Sequence, residues 1–195
     1  MRKRFSHYSL IFGLAALLPA CQPTAPREGD LLFHVTPTAN NITAVTPAQI
    51  DHVAICLGND SVVEAIPGNG VVLSSIQSLR HQEGHYIIGR VSLADSRSSI
   101  ANARRYIGCR YDSLFLPNDT AIYCSELVQL SYVTKKGDRL FEPIPMSFHD
   151  ASGRVTKFWQ QFYARRGMSV PEGWPGSNPA EMSQRKVVRI LGRLR

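Results

Sequence analysis

The sequence IYCSELV, residues 122–128, places a lone cysteine at the start of an apolar-periodic segment. Asp119 and Thr120 supply capping side chains just upstream, so we predict that a helix begins within one or two residues of Cys124. A thiol in the first turn of a helix lies among unpaired backbone N–H groups at the positive end of the helix dipole, and both stabilise the thiolate. The pattern therefore predicts that Cys124 is a nucleophile, which needs an imidazole partner.

The segment DHVAICL, residues 51–57, offers that imidazole. Its alternation predicts a strand with His52 at its opening, at the rim of a sheet. The next predicted strand, 61–66, carries Glu64, and a tight turn would place Glu64 opposite Val53 or His52, within reach of the imidazole. A carboxylate that holds an imidazole N–H fixes its tautomer and supports the imidazolium. The alternative for Glu64 is an exposed strand charge.

The remaining periodicities predict strands, helices and loops in a mixed α+β order. Strands are predicted at 29–35, 71–74, 86–91 and 186–191, helices at 75–82, 95–107 and 152–166, and a turn-rich loop at 171–179. The three runs between 51 and 74 form an antiparallel meander, and the loop 36–48 is long enough to be one wall of a cleft. The aromatic stripe of 152–166 is most simply core packing, and a membrane-lying helix is the alternative.

Residues 1–20 are predicted to be a signal peptide. Three basic residues at 2–4 precede an apolar run at 10–18 that is too short to span a membrane. The run ends in LPAC, which resembles the lipobox of bacterial lipoproteins and implies lipidation at Cys21. Gln22 favours the outer membrane by the sorting habit of such proteins, and residues 21–28 form a tether. An ordinary secretory signal with an incidental cysteine is the alternative.

Charge and cysteine content limit the remaining functions. Without the basic residues of the signal, the formal charge falls from +7 to +4, too little to indicate nucleic-acid binding. Removal of Cys21 leaves Cys56, Cys109 and Cys124, an odd number, so at least one thiol stays free. The sequence leaves two alternatives for Cys56: a disulfide with Cys109, or a small buried hydrophobic side chain in its strand. The cysteine and histidine spacings predict no metal site or cofactor.

Side chains near the predicted nucleophile are candidates for lining its cleft. Tyr111 and Asp112 begin the loop that leads to the helix, Tyr123 directly precedes the cysteine, and Asp51 precedes His52. Asp112 is equally well explained as a loop cap. His34, at the end of the first predicted strand, is interpreted as a loop-edge histidine, with a second imidazole near the site as the alternative.

These motifs together resemble the circularly permuted branch of the NlpC-type papain-like cysteine hydrolases, and within it the YaeF/YiiX-like proteins. The matching segments are GDLLF at 29–33, DHVAI at 51–55 with VEA at 63–65, YD at 111–112 and YCSELV at 123–128. The histidine strand precedes the cysteine helix, as in the permuted branch. Relatives usually carry serine where this chain has Asp51, which adds a second carboxylate that could orient His52.

The resemblance implies a papain-like α+β fold in which a small antiparallel sheet packs on the cysteine-bearing helix. It implies Cys124 as nucleophile, His52 as general base and Glu64 as orienting group, in a catalytic domain at 29–141 with an extension at 142–195. The expected function is a lipid-anchored envelope hydrolase, facing the periplasm, that cleaves an amide or related acyl bond in cell-wall peptide, lipid or protein. An acyltransferase or lipid acyl-ester hydrolase, and a non-catalytic envelope scaffold, are the alternatives.

Overall fold

The computed structural model describes residues 25–117 and 120–195. Six strands form one antiparallel sheet in the order β4-β3-β2-β1-β5-β8. The strands are β1 Asp30–Val35, β2 Ile50–Gly58, β3 Ser61–Ile66, β4 Gly70–Ser75, β5 His85–Val91 and β8 Val188–Arg193, and a separate pair joins β6 Ile144–Pro145 to β7 Pro175–Gly176. The helices are α1 Ile76–Arg80, α2 Ser96–Arg105, α3 Cys124–Ser131, α4 Lys157–Ala164 and α5 Pro179–Ser183. The predicted signal peptide, the lipidation at Cys21 and the capping role of Asp119 lie outside the described residues.

The predicted meander is β2-β3-β4. Asn59 and Asp60 connect β2 to β3, and both have positive φ angles, 46° and 59°, as the inner residues of a two-residue hairpin turn require. The register shifts between Cys56 and Gly58. Continuing the register beyond Ile55–Val63 places Glu64 opposite Ala54, so the predicted pairing with Val53 or His52 is off by at least one residue. The shift favours the contact with His52, because the Gly58–Ser61 pairing, if continued, would place Glu64 opposite Ile55, one residue farther from His52.

Alternation along β2 divides its side chains between two cores. Val53 and Ile55 face a core that includes Leu127 and Val128 of α3, whereas Ala54 packs on the other face in a core with residues of α1. The cysteine-bearing helix thus packs directly on the sheet, as the papain-like fold requires. Strand β8 pairs with β5 and closes this sheet from the C-terminal side.

Helix α3 begins at Cys124, as predicted. Tyr123 is its N-cap, and the Tyr123 backbone N–H donates to Glu126 Oε2 at 3.4 Å. Leu127 and Val128 are fully buried, so packing against the sheet stabilises the helix and holds its first turn in place.

A third cluster, built on α4, lies outside the main cores and includes Phe148, Trp159 and Tyr163. The prediction that this helix begins at residue 152 is wrong, because Asp150 accepts the backbone N–H of Ser152 at 2.8 Å and forms a turn there instead. Thr156 caps the helix. None of the helices in the described part of the chain has the length and apolarity needed to cross a bilayer.

Candidate active site

The sulfur-bearing residue of the site is Cys124, the first residue of α3, which is 6% exposed. The first backbone N–H groups of a helix have no acceptor within the helix, so those of Cys124 and Ser125 are available to a ligand at the thiol. Because Cys124 belongs to the main core and also lines a cleft, its thiol is shielded from bulk water but open to a substrate.

The imidazole of His52 lies at the opening of β2 and contacts the carboxylate of Glu64. His52 Nε2 is 2.7 Å from Glu64 Oε2. Glu64 is 2% exposed, and the side chain of Ser74 also donates to it. Burial raises the pKa of Glu64, but the hydrogen bond from His52 and its charge lower it below the ordinary value. The carboxylate therefore stays charged next to the ring.

Cys124 is close enough to the His52 ring to interact with it both as a hydrogen-bonding group and as a charge. Burial lowers the pKa of His52, but the interactions with Cys124 and Glu64 outweigh burial and raise it to about 10. The arrangement thus favours an imidazolium beside Cys124, the form of histidine that a nucleophilic cysteine–histidine pair uses.

Asp51 does not contact this triad as a second orienting acid. Its Oδ1 lies 2.6 Å from His34 Nδ1, and its Oδ2 accepts from Asn40 Nδ2 at 2.6 Å. His34 Nε2 is 2.7 Å from the backbone oxygen of Glu83. The structure therefore separates the two acids: Glu64 binds the His52 ring, and Asp51 binds the His34 ring. The interpretation of His34 as a plain loop-edge histidine is wrong.

The cleft beside Cys124 has a volume of about 570 Å³, including the space at its open mouth. Tyr111, Tyr123 and Asp51 line it, and its other lining side chains are mostly apolar, with Ile42, Val45, Phe115, Met146 and Phe148 among them. Ile42 and Val45 come from the loop after β1, which was predicted to be a cleft wall. A second lobe contains His52, Glu64 and Asp51, and the two lobes share Ile42, Tyr111 and Phe115.

Asp112 points away from both lobes and caps its own loop. It is 4% exposed, and its carboxylate accepts the backbone N–H groups of Leu114 at 2.8 Å and Leu116 at 2.7 Å. Of its two predicted roles, the structure shows the loop cap.

Ser177 is a cleft residue that the sequence did not indicate. Its backbone N–H donates to the hydroxyl of Tyr123 at 2.9 Å, and its own hydroxyl donates to Ser125 Oγ at 3.1 Å. The preceding Gly176 packs so closely that a Cβ would collide with Met146. These contacts tie the turn-rich loop to the start of α3, and the glycine and serine of that loop carried no local sign of this role.

Within residues 25–117 and 120–195, no three histidine, cysteine or acidic side chains are grouped so that they could hold a metal ion. The four candidate donors of the second lobe bind one another in pairs, His34 with Asp51 and His52 with Glu64. The three cysteines of the described residues, Cys56, Cys109 and Cys124, carry free thiols, so Cys56 and Cys109 form no disulfide.

Two comparisons relate the chain to proteins of Escherichia coli. It is 28% identical over 172 residues to the uncharacterised protein YiiX of strain K12, a match that covers 83% of each sequence. The crystal structure of the metalloprotein YiiX from strain O157:H7 superposes with a TM-score of 0.72 and 22% identity, over 88% of this chain and 99% of that one. At this identity the superposition shows the fold.

A sequence model of the family described as permuted papain-like amidases, YaeF/YiiX, matches residues 25–189. This segment contains the whole sheet up to β8 together with Cys124, His52 and Glu64. The matched length, the strand-before-helix order and the shared fold agree. The chain belongs to the YaeF/YiiX (C92) family of permuted papain-like amidases.

Proposed function

We propose that this protein is a cysteine hydrolase of the cell envelope that cleaves an amide or related acyl bond through a Cys124–His52–Glu64 triad. One observation carries the proposal: His52 Nε2 lies 2.7 Å from the buried carboxylate of Glu64, and the same ring interacts with Cys124 at the start of α3. A scaffold protein needs no such three-part arrangement, so the geometry favours catalysis over a purely binding role.

The reaction begins with attack of the Cys124 thiolate on the carbonyl carbon of the substrate. The carbonyl oxygen becomes an oxyanion, which the backbone N–H of Cys124 at the start of α3 stabilises. The imidazolium of His52 then gives its proton to the leaving nitrogen or oxygen as the carbon–heteroatom bond breaks, which leaves a thioester. Neutral His52 next removes a proton from water, the hydroxide adds to the thioester, and the acid product leaves as the thiolate and imidazolium are restored.

Tyr111 is our candidate for the second oxyanion donor. It lines both lobes together with Cys124 on one side and His52 on the other. Burial raises the pKa of Tyr111, and the charge at Cys124 adds to that shift, so the hydroxyl is a neutral donor close to the sulfur. We expect Tyr111→Phe to reduce kcat by about 10²–10³-fold with little change in KM. A change in KM alone would contradict this role.

The two lobes divide the substrate at the scissile bond. His52 protonates the leaving group, so the leaving group lies in the second lobe with His52 and Glu64. The acyl part then lies in the lobe with Cys124, whose walls include Ile42, Val45, Met146 and Phe148. This apolar wall favours an apolar acyl group, and it is the observation that keeps acyl transfer or lipid acyl-ester hydrolysis as the second candidate.

The substrate class can be tested with the form comprising residues 22–195. The buried residues of all three cores lie between residues 31 and 194, so this form retains every described element. It is incubated separately with cell-wall fragments and with phospholipid, beside Cys124→Ser as the matched control. New amines released from the wall support amide cleavage, and loss of acyl chains from the lipid supports the second candidate. If neither product is released, the result favours the scaffold role.

We further propose that Cys21 carries lipid and holds the protein on the outer membrane, facing the periplasm. The support is the basic segment, short apolar run and LPAC sequence at residues 2–21. With Cys21→Ala, we expect the protein to be absent from the lipid-labelled fraction of cells grown with a labelled fatty acid. Retention of the fatty-acid label in that variant would contradict the lipoprotein assignment.

The Escherichia coli neighbour is called a metalloprotein, and we do not carry that property over to this triad. Both ring nitrogens of His34 are engaged, with Asp51 and with the backbone oxygen of Glu83, and Nε2 of His52 is engaged with Glu64. A metal at these rings would have to break contacts that hold the triad in place. The donors present therefore do not fit a metal centre, and no step above passes through one.

A further inference from the structure

Helix α4 has one buried side and one exposed side, and both carry aromatic rings. Trp159 and Tyr163 are 3% and 0% exposed and pack in the third core. Phe158, on the neighbouring face of the helix, is 40% exposed, and Phe162 is partly exposed and packs against the third core. The stripe that the sequence indicated is thus divided: Trp159 and Tyr163 are buried, and Phe158 and part of Phe162 remain exposed.

The two outward rings form a single apolar patch. The Phe158 and Phe162 rings stack with centroids 5.9 Å apart, and the guanidinium of Arg166 lies 3.8 Å from the centre of the Phe162 ring. Because Phe158 is 40% exposed, part of its ring is in contact with water. A partner that covers this apolar patch gains binding free energy by removing it from water.

The surroundings of this patch are positively charged. Lys157 is the first residue of the helix, Arg165 is its C-cap and Arg166 follows it, and all three are exposed. From residue 151 to residue 171 the chain contains four basic residues and no acidic one. A partner that covers this surface must therefore offer both an apolar layer and negative charge.

Phe162 also connects the patch to the proposed active site. It lines the second lobe of the cleft together with His52, Glu64 and Phe115. Whatever covers the outward face of α4 consequently lies beside the entrance to the lobe that contains the proposed general base.

We propose that the outward face of α4, defined by Lys157, Phe158, Phe162, Arg165 and Arg166, docks on the surface of an anionic phospholipid bilayer. Phe158 and Phe162 enter the boundary between headgroups and acyl chains, and the three cations contact lipid phosphates. Two stacked rings with three exposed cations close by in the chain match this interface, which places apolar material directly beneath a negatively charged layer. Docking brings the second lobe, which Phe162 lines, close to the membrane, and it depends only on this surface, not on the chemistry of the triad.

The test is co-sedimentation of the 22–195 form with vesicles of phosphatidylglycerol and phosphatidylethanolamine, and with vesicles of phosphatidylcholine alone. We expect binding to the first and much weaker binding to the second. Arg165→Gln with Arg166→Gln should weaken binding by more than about tenfold, since each cation near an anionic surface contributes about fivefold. Phe158→Ser should weaken binding to the anionic vesicles by about tenfold. Added salt should also weaken the binding of wild type to these vesicles.

Strand β8 offers matched controls. Arg189→Gln with Arg193→Gln makes the same change in charge at exposed positions, and Ile190→Ser removes an apolar side chain that is 43% exposed. These variants should bind as wild type does. Equal losses from the α4 and β8 variants, equal binding to both vesicle types, or no binding at all would overturn the proposal. So would a dimer in vesicle-free solution that Phe158→Ser converts to monomer, because a second copy would then cover this face.

Discussion

Two histidine–carboxylate pairs lie side by side on the central strands, and they differ in what the far side of each ring meets. His34 on β1 and His52 on β2 are direct register partners. Their rings contact Asp51 and Glu64 at 2.6 and 2.7 Å. The second nitrogen of His34 is hydrogen-bonded to the backbone oxygen of Glu83, whereas the His52 ring also interacts with Cys124 at the start of α3. The same pair of groups is structural in one position and suited to catalysis in the other.

The carboxylates differ as well. Glu64 is 2% exposed, and its contacts serve the His52 ring. Asp51 is more exposed and also binds Asn40, whose side-chain oxygen accepts the backbone N–H groups of Ile42 and Thr43. The His34–Asp51 pair therefore holds the loop that forms the apolar cleft wall. In the proposed mechanism the His52–Glu64 pair activates Cys124, whereas the His34–Asp51 pair positions the wall of the cleft in front of it.

The largest expected difference between the two pairs is the effect of replacing each histidine on the reactivity of Cys124. His52→Ala should slow both turnover and alkylation of Cys124 by iodoacetamide, turnover by about 10²–10⁴-fold, because the thiolate loses its imidazolium. His34→Ala should leave alkylation close to the wild-type rate. Peptide mass mapping distinguishes Cys124 from Cys56 and Cys109. Equal slowing in both variants would mean that the pairs act as one network.

Replacement of the carboxylates is expected to have a smaller effect. Glu64→Gln removes a charged hydrogen bond worth about 1.5–3 kcal/mol, so turnover should fall by about 10- to 100-fold with the circular dichroism spectrum unchanged. Asp51→Asn is the matched change in the other pair and should barely alter the rate at which the Cys124 thiol reacts. If Asp51→Asn instead lowered turnover as much as Glu64→Gln, the orienting role would have to be reassigned.

The pH dependence of stability offers a finer comparison. The pKa of His52 is raised in the fold from 6.5 to about 10. A raised pKa means that the folded state holds the proton more tightly, so this stabilisation is complete below pH 6.5 and is lost as the pH rises through about 10. The difference in unfolding free energy between wild type and His52→Ala should therefore narrow between pH 7 and 11 in denaturant titrations. A constant difference across that range would show that the ring is neutral in the fold.

The smallest expected effect on reactivity is that of Asn40→Ala. This change frees the cleft-wall loop from Asp51, so we expect the unfolding free energy to fall by about 1–2 kcal/mol while iodoacetamide reacts at the wild-type rate. A maleimide with a long alkyl chain, which must enter the apolar lobe, should react more slowly than with wild type. Unchanged rates with both reagents would show that Asn40 does not position the wall.

Local patterns predicted most of the elements of this fold. Alternation and turn residues located β2, β3 and β4, and apolar spacing located the start of α3 at Cys124, where Tyr123 is the N-cap. Such signals depend on side chains within a few residues of one another, so they survive in the sequence. The start of α4 was missed because the turn made by Asp150 competes locally with the helix.

The sequence by itself determined which groups are available for the proposed chemistry: a thiol at a helix start, an imidazole at a strand opening and a carboxylate on the next strand. Only the tertiary structure decided which acid binds which histidine. Register shifts between His34 and Val35 and between Cys56 and Gly58 aim the side chains, and loops distant in sequence bring Ile42 and Ser177 to the thiol. A bulge or a loop closure is set by the packing of the whole sheet and its helices, and no short stretch of residues encodes that packing.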